Sequence, residues 1–132
     1  MAVVTKKGKP LALKVFSATP SETRLVEQTL KKCFSRAKIK RLVGDKAYDS
    51  DPLDKNLKAK GVELIAPHRR NRKKLRTQDG RQLRHYKRRW TVERFFSWLQ
   101  NFRRCQTRYE RNAQNFQSFI YLAAIMIYLR YF

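Results

Sequence analysis

Residues 39–67 constrain this chain most, because strand and helix signals alternate there within fewer than thirty positions. Ile39–Val43 is a short apolar run that stops at Gly44-Asp45. Asp51-Pro52 then reads as a helix start, with a capping acid followed by Pro at the first helical position. Leu53, Leu57 and Ala59 supply its apolar positions and Gly61 ends it. Val62–Ala66 is a second apolar run, closed by Pro67. Two strands separated by a helix call for parallel pairing.

The flanks extend the pattern. Ala2–Thr5 and Leu11–Ser17 are β-prone runs around KKGKP, where Gly8 and Pro10 supply turn chemistry, so a hairpin is expected. TPSE, Thr19 to Glu22, has the form of a capping box. The helix after it places Leu25, Val26, Leu30 and Cys33 on one face and is expected to end near Ala37. Further helices are expected from about His85 to Asn101 and from about Ala113 to the C-terminus, joined by the basic connector RRCQTRYERN. The fold class is α/β: a mixed sheet, hairpin plus parallel strands, packed by helices.

Charge sets the partner. The 132 residues carry 32 Lys and Arg against 10 Asp and Glu, a net +22. Such an excess repels itself unless a polyanion shares the field, and nucleic acid is the polyanion expected. The basic residues run along most of the chain rather than along one amphipathic helix, which argues against a membrane surface. The closing apolar stretch Phe119–Leu129 is too short to span a bilayer and reads as a buried core helix. Cys33 and Cys105 lack metal-ligand spacing and read as reduced thiols of a cytoplasmic protein. RRNRKKLRTQDGRQLR, residues 69–84, has little to bury. It is expected to be a mobile or DNA-ordered loop that offers Arg69, Arg70, Arg72, Lys73 and Lys74 to phosphates.

Three acids are candidates for chemistry. Asp45 follows a predicted strand, where functional groups of open α/β sheets collect, although Asp45 and Asp49 could equally serve as turn or helix caps. On a continuous helix Glu93 shares a face with Tyr86 and Arg89. It borders the stripe Arg88-Val92-Phe95-Leu99-Phe102 and could simply pair with Arg89. A strand-end carboxylate and a helix carboxylate are together suited to a divalent ion, with Lys46 and Arg89 holding phosphates. Trp90, Phe95, Phe96, Trp98, Leu99 and Phe102 have helical spacing, which favours core packing over base stacking. Neither His68 nor His85 has a ligand pattern.

GDKAYDSDPL resembles the segment around the second catalytic Asp of insertion-sequence transposases in the DDE superfamily, which have an RNase H-like core. HYKRRWTVERFFSWLQNFRR is similar to the signature of one branch: Tyr, two residues, Arg, three residues, Glu, six residues, Lys. Here those positions are Tyr86, Arg89, Glu93 and Gln100. The resemblance covers essentially the whole chain, residues 1–132, with the basic loop at about 68–84. It implies that Asp45 and Glu93 are catalytic and bind Mg2+ or Mn2+, and that Tyr86 and Arg89 contact transposon-end DNA. Gln100 replaces the signature Lys on the DNA side. It also implies cleavage and strand transfer between transposon ends and target DNA by a homo-oligomer of the complete enzyme, in the bacterial cytoplasm at the nucleoid.

No Asp precedes Asp45. The first catalytic Asp is therefore expected on an upstream transposase segment, and the chain reads as a C-terminal portion with an incomplete RNase H-like fold. The alternative function is a non-catalytic basic DNA- or RNA-binding protein.

Overall fold

The computed structural model describes residues 1–35, 38–77, 80 and 82–132. The expected end of the first helix near Ala37, and Asp79 of the basic loop, lie outside them. Two compact units are formed, one from residues 1–19, 25–35 and 90–132, the other from residues 20–24 and 36–89.

In the first unit, β1 (Ala2–Val4) pairs antiparallel with β2 (Pro10–Leu13), Ala2 opposite Leu13. The expected hairpin forms, although β2 is shorter than the Leu11–Ser17 run. At its turn the Gly8 N–H donates to the Thr5 carbonyl at 2.8 Å. Gly8 has φ +88°, a left-handed conformation that favours glycine, and an added Cβ would also press on the tip of the Arg94 side chain, 2.9 Å from Nη2.

Helix α1 (Glu22–Leu30) starts later than a Thr19 cap predicts; Pro20 lies outside it and Glu22 occupies its first turn. Leu25 and Val26 are buried as expected. Buried Thr29 was not expected, and its hydroxyl is satisfied by the Leu25 carbonyl at 2.9 Å.

Helices α3 (Trp90–Gln100), α4 (Arg103–Gln106) and α5 (Ala113–Tyr131) complete this unit. Phe95 and Leu99 of α3 meet Leu13 of β2 and Ala123, Ala124 and Ile127 of α5 in one core cluster. Asn112 caps α5 by accepting the Gln114 N–H at 2.8 Å. The helix is docked on β2 through Gln117, whose Oε1 accepts the Val15 N–H at 2.6 Å, and through Tyr121, whose hydroxyl donates to the Leu13 carbonyl at 3.2 Å. Because α5 is apolar nearly all round, packing one face leaves Leu122, Ile125, Met126 and Leu129 exposed.

In the second unit, β3 (Arg41–Val43) pairs parallel with β4 (Glu63–Ile65), in register Arg41 to Glu63 and Val43 to Ile65. Helix α2 (Asp51–Ala59) connects them and buries Leu53 and Leu57, with Pro52 in its first turn. Ser50 rather than Asp51 takes the cap position. Gly61, at φ +72°, carries the chain out of the helix. Among the described residues the strands thus form two two-stranded sheets, one of each sense, rather than one mixed sheet, and the α/β class holds.

The expected long helix from His85 is broken. Gln82–Arg88 is a 3₁₀ helix, Arg89 is a turn residue, and the α-helix begins only at Trp90. Tyr86, Arg89 and Glu93 are therefore not placed on a common α-helical face.

Candidate active site

Asp45 stands two residues past the carboxyl end of β3, next to Gly44, whose N–H still reaches the Ile65 carbonyl at 3.0 Å. Its Oδ1 accepts the Ala47 N–H at 2.8 Å and so caps a 3₁₀ turn, Lys46–Tyr48. Its Oδ2 lies 3.7 Å from Arg89 Nη1, in a pair well over a third exposed. Capping and partial exposure thus coexist in one carboxylate. Arg89 also lies over the Tyr86 ring at 5.7 Å, so these two signature residues and Asp45 converge.

Gly44 belongs to this geometry. A Cβ there would come within 2.9 Å of Tyr48 Cδ2 and 3.1 Å of Tyr48 Cβ and Cγ. The Tyr48 ring folds back over the strand end. Burial first, then a hydrogen bond and charge from Glu22, then the charge of Asp45, push its phenol well above its usual value.

Asp49 has a different task. Its side chain is 7% exposed. Oδ1 accepts from His68 Nδ1 at 2.9 Å and Arg72 Nη1 at 2.8 Å, while Oδ2 accepts the Arg69 N–H at 2.8 Å. Burial works against the charged form here. The Arg69 amide, His68 and Arg72 outweigh it and hold the carboxyl below its ordinary value.

His68 Nε2 accepts the Thr77 N–H at 3.1 Å, which assigns the ring proton to Nδ1. Arg72 also donates through Nη2 to Asp51 Oδ1 at 2.7 Å and through Nε to the Leu75 carbonyl at 3.2 Å. Arg69 donates to the carbonyls of Lys46 at 3.1 Å and Ala47 at 2.8 Å. The described part of the basic loop is thus held by contacts within the chain, where the sequence suggests a mobile or DNA-ordered loop.

The basic candidates divide accordingly. Arg69 spends its guanidinium group on the Lys46 and Ala47 carbonyls and Arg72 on Asp49, Asp51 and the Leu75 carbonyl, and Lys74 lies 3.2 Å from Asp51. Lys46, Arg70 and Lys73 are exposed. Glu93 and Gln100 are exposed on α3, in the other unit from Asp45. The His68–Asp49–Arg72 cluster had no local signal, since its partners stand nineteen and twenty-three positions apart. His85 meets Arg41 Nη1 at 2.9 Å through Nε2.

Residues 1–129 match the family profile described as Transposase DDE domain. The chain belongs to the DDE transposase family. A Burkholderia cepacia protein named as a transposase for insertion sequence element IS402 is 36% identical over 63% of this chain, a match spanning only 36% of that relative's length. A Brucella ovis protein named as a transposase for insertion sequence element IS6501 is 33% identical over 98% of this chain and 95% of its own length. No solved structure gives a significant match.

The family has an RNase H-like fold, with which the α/β elements of this transposase-family chain agree, and generally uses divalent metal ions. Carboxylate oxygens such as Asp45 Oδ2 are the right donors for such an ion. Among the described residues, however, no three His, Cys, Asp or Glu side chains are grouped to hold one. Also among the described residues, no helix is long and apolar enough to cross a membrane.

Proposed function

We propose that this chain supplies the second and third metal-binding carboxylates, Asp45 and Glu93, of a transposase that cleaves transposon ends and joins them to target DNA. The observation that carries the proposal is Asp45 just past the carboxyl end of a parallel strand, partly exposed, with one oxygen beside Arg89. An upstream transposase segment would carry the first carboxylate. The assembled enzyme is a homo-oligomer acting in the bacterial cytoplasm.

Mg2+ or Mn2+ held by these acids would supply Lewis-acid stabilisation of charge on the phosphodiester. The chain's own residues position the DNA. Lys46, Arg70 and Lys73 take phosphates, while Arg89, oriented by Tyr86, does so beside Asp45. The Gln100 amide offers a hydrogen bond where the signature has a cation. Arg69, Arg72 and Lys74 fix the loop from which Arg70 and Lys73 project. In strand transfer, the oxygen of a freed 3′-hydroxyl bonds to a target phosphorus as the bond to the target's own 3′-oxygen breaks.

A non-catalytic DNA- or RNA-binding protein is the second reading, favoured by the missing three-carboxylate grouping among the described residues. Mn2+-dependent nicking of supercoiled DNA separates the two, measured with and without an upstream segment carrying an Asp. Nicking abolished by Asp45→Asn and by Glu93→Gln, with salt-sensitive binding retained, is the expected result. Nicking indifferent to both substitutions overturns the assignment, and binding with no nicking in either format leaves the binder.

A further inference from the structure

Trp90 opens α3, and its side chain remains 51% exposed, whereas Phe95 and Leu99 of the same helix are in the core. One turn on, the Arg94 guanidinium carbon lies 4.7 Å from the Trp90 ring centre and 4.9 Å from that of Trp98. Trp98 in turn stacks on Tyr131 at 4.3 Å, with ring planes 5° apart. A cation is thus held between two indoles, and the column is anchored on α5.

Among the described residues, Arg94 makes this contact without an acid. Its Nη2 donates to the Lys7 carbonyl at 2.7 Å, and its buried Nε has no hydrogen-bond partner among the described residues. The guanidinium is committed to ring faces and to the hairpin turn, where Lys6 and Lys7 are exposed. The Trp90 ring is therefore held from behind by a fixed positive charge, with more cations on the adjoining turn.

An exposed, immobilised indole offers a flat π surface, and the lysines offer positive charge. An unpaired nucleobase with its phosphate matches both, because every base has a stacking face and every nucleotide an anion. We propose that Trp90 is a stacking platform for an unpaired base of single-stranded DNA, with Lys6 and Lys7 on its phosphates. The proposal rests on the DNA-binding part of the function above and extends it to unpaired DNA.

The test is tryptophan fluorescence and affinity with a fifteen-nucleotide oligothymidylate and a blunt duplex of equal length, at one salt concentration. The wild type is compared with Trp90→Ala and Trp90→Phe. Because the chain has 2 Trp, the Phe variant reports Trp98 alone. The oligothymidylate should quench the wild type but leave Trp98 in the Phe variant unquenched. Trp90→Ala should weaken oligothymidylate binding roughly 5- to 150-fold, with duplex affinity unchanged and Trp90→Phe close to wild type.

Oligothymidylate bound without quenching, or Trp90→Ala weakening duplex and single strand alike, overturns the platform while leaving DNA binding intact. Failure of both DNAs to bind at low salt overturns the DNA reading as well. If the Ala variant does not fold, wild-type quenching and the Phe variant still decide. An oligouridylate bound more than about tenfold tighter than the oligothymidylate would assign the platform to RNA and overturn the proposal for DNA.

Discussion

Neutralising Asp49 without changing its size isolates what ties down the basic loop. In Asp49→Asn, three donors that now meet a carboxylate, His68 Nδ1, the Arg69 N–H and Arg72 Nη1, would meet a carbonyl and an NH2 group. Charge-assisted hydrogen bonds contribute about 1.5–3 kcal/mol each and neutral ones about 1, so the change removes about 3 kcal/mol from the loop's attachment. At 7% exposure the carboxylate has little solvent to replace its partners.

A loss of that size raises the open population of the loop roughly 150-fold, and proteolysis follows that population when reclosing is fast. The segment from Arg69 to Lys74 is rich in trypsin sites. Limited trypsinolysis with mapped fragments should therefore cut the variant at Arg70, Lys73 and Lys74 at least about tenfold faster than wild type. Equal rates, within about twofold, would refute the claim that this carboxylate orders the loop.

The acid dependence has a definite sign. The folded carboxyl lies below its ordinary 3.8, so its contribution is complete above that pH and disappears as pH falls through the folded value. The difference in melting temperature between wild type and variant should narrow below about pH 4.

Three further outcomes follow from particular contacts. Gly44→Ala drives a methyl into Tyr48 and should cost about 1–3 kcal/mol in denaturant unfolding. Tyr48→Ala should remove most of that penalty in a double-mutant cycle, and additive losses would exclude the clash. Phe95→Ala, at a fully buried position, should cost about 3–5 kcal/mol, read from the unfolding midpoint at constant slope. Replacing Arg70 and Lys73 together by Ala should lower the slope of log binding constant against log salt by about 1.8, whereas an unchanged slope would remove both from the phosphate contacts.

What could be read from the sequence was local. The parallel pair around α2 followed from apolar runs bounded by Gly44, Pro52, Gly61 and Pro67, each a conformational restriction acting over a few residues. The family was legible in Tyr86, Arg89 and Glu93 at their spacing. The α3 boundary was not, because the spacing Arg88-Val92-Phe95-Leu99 continued across Arg89 and no Ser, Thr, Asp, Asn or Pro stands between His85 and Trp90 to mark a start. His68 was passed over because Asp49, its partner, comes from the end of a 3₁₀ turn nineteen positions away. The aromatic residues of α3 shared one periodicity, which cannot tell a terminal ring such as Trp90 from a central one such as Phe95. Neighbours outside the helix decide that.

Helix α5 carries a single charged side chain, Arg130, in nineteen residues, and turns Leu122, Ile125, Met126 and Leu129 outward. In dilute buffer the +22 charge of the chain holds other copies away from that oily stripe. At about 1 M salt the Debye length shrinks to about 3 Å and the protection is gone. Washing nucleic acid off the protein with concentrated salt therefore strips away two dispersants together, the bound polyanion and the mutual repulsion of like-charged molecules. The cleanest preparation becomes the stickiest one, and colloidal stability and chemical purity pull in opposite directions.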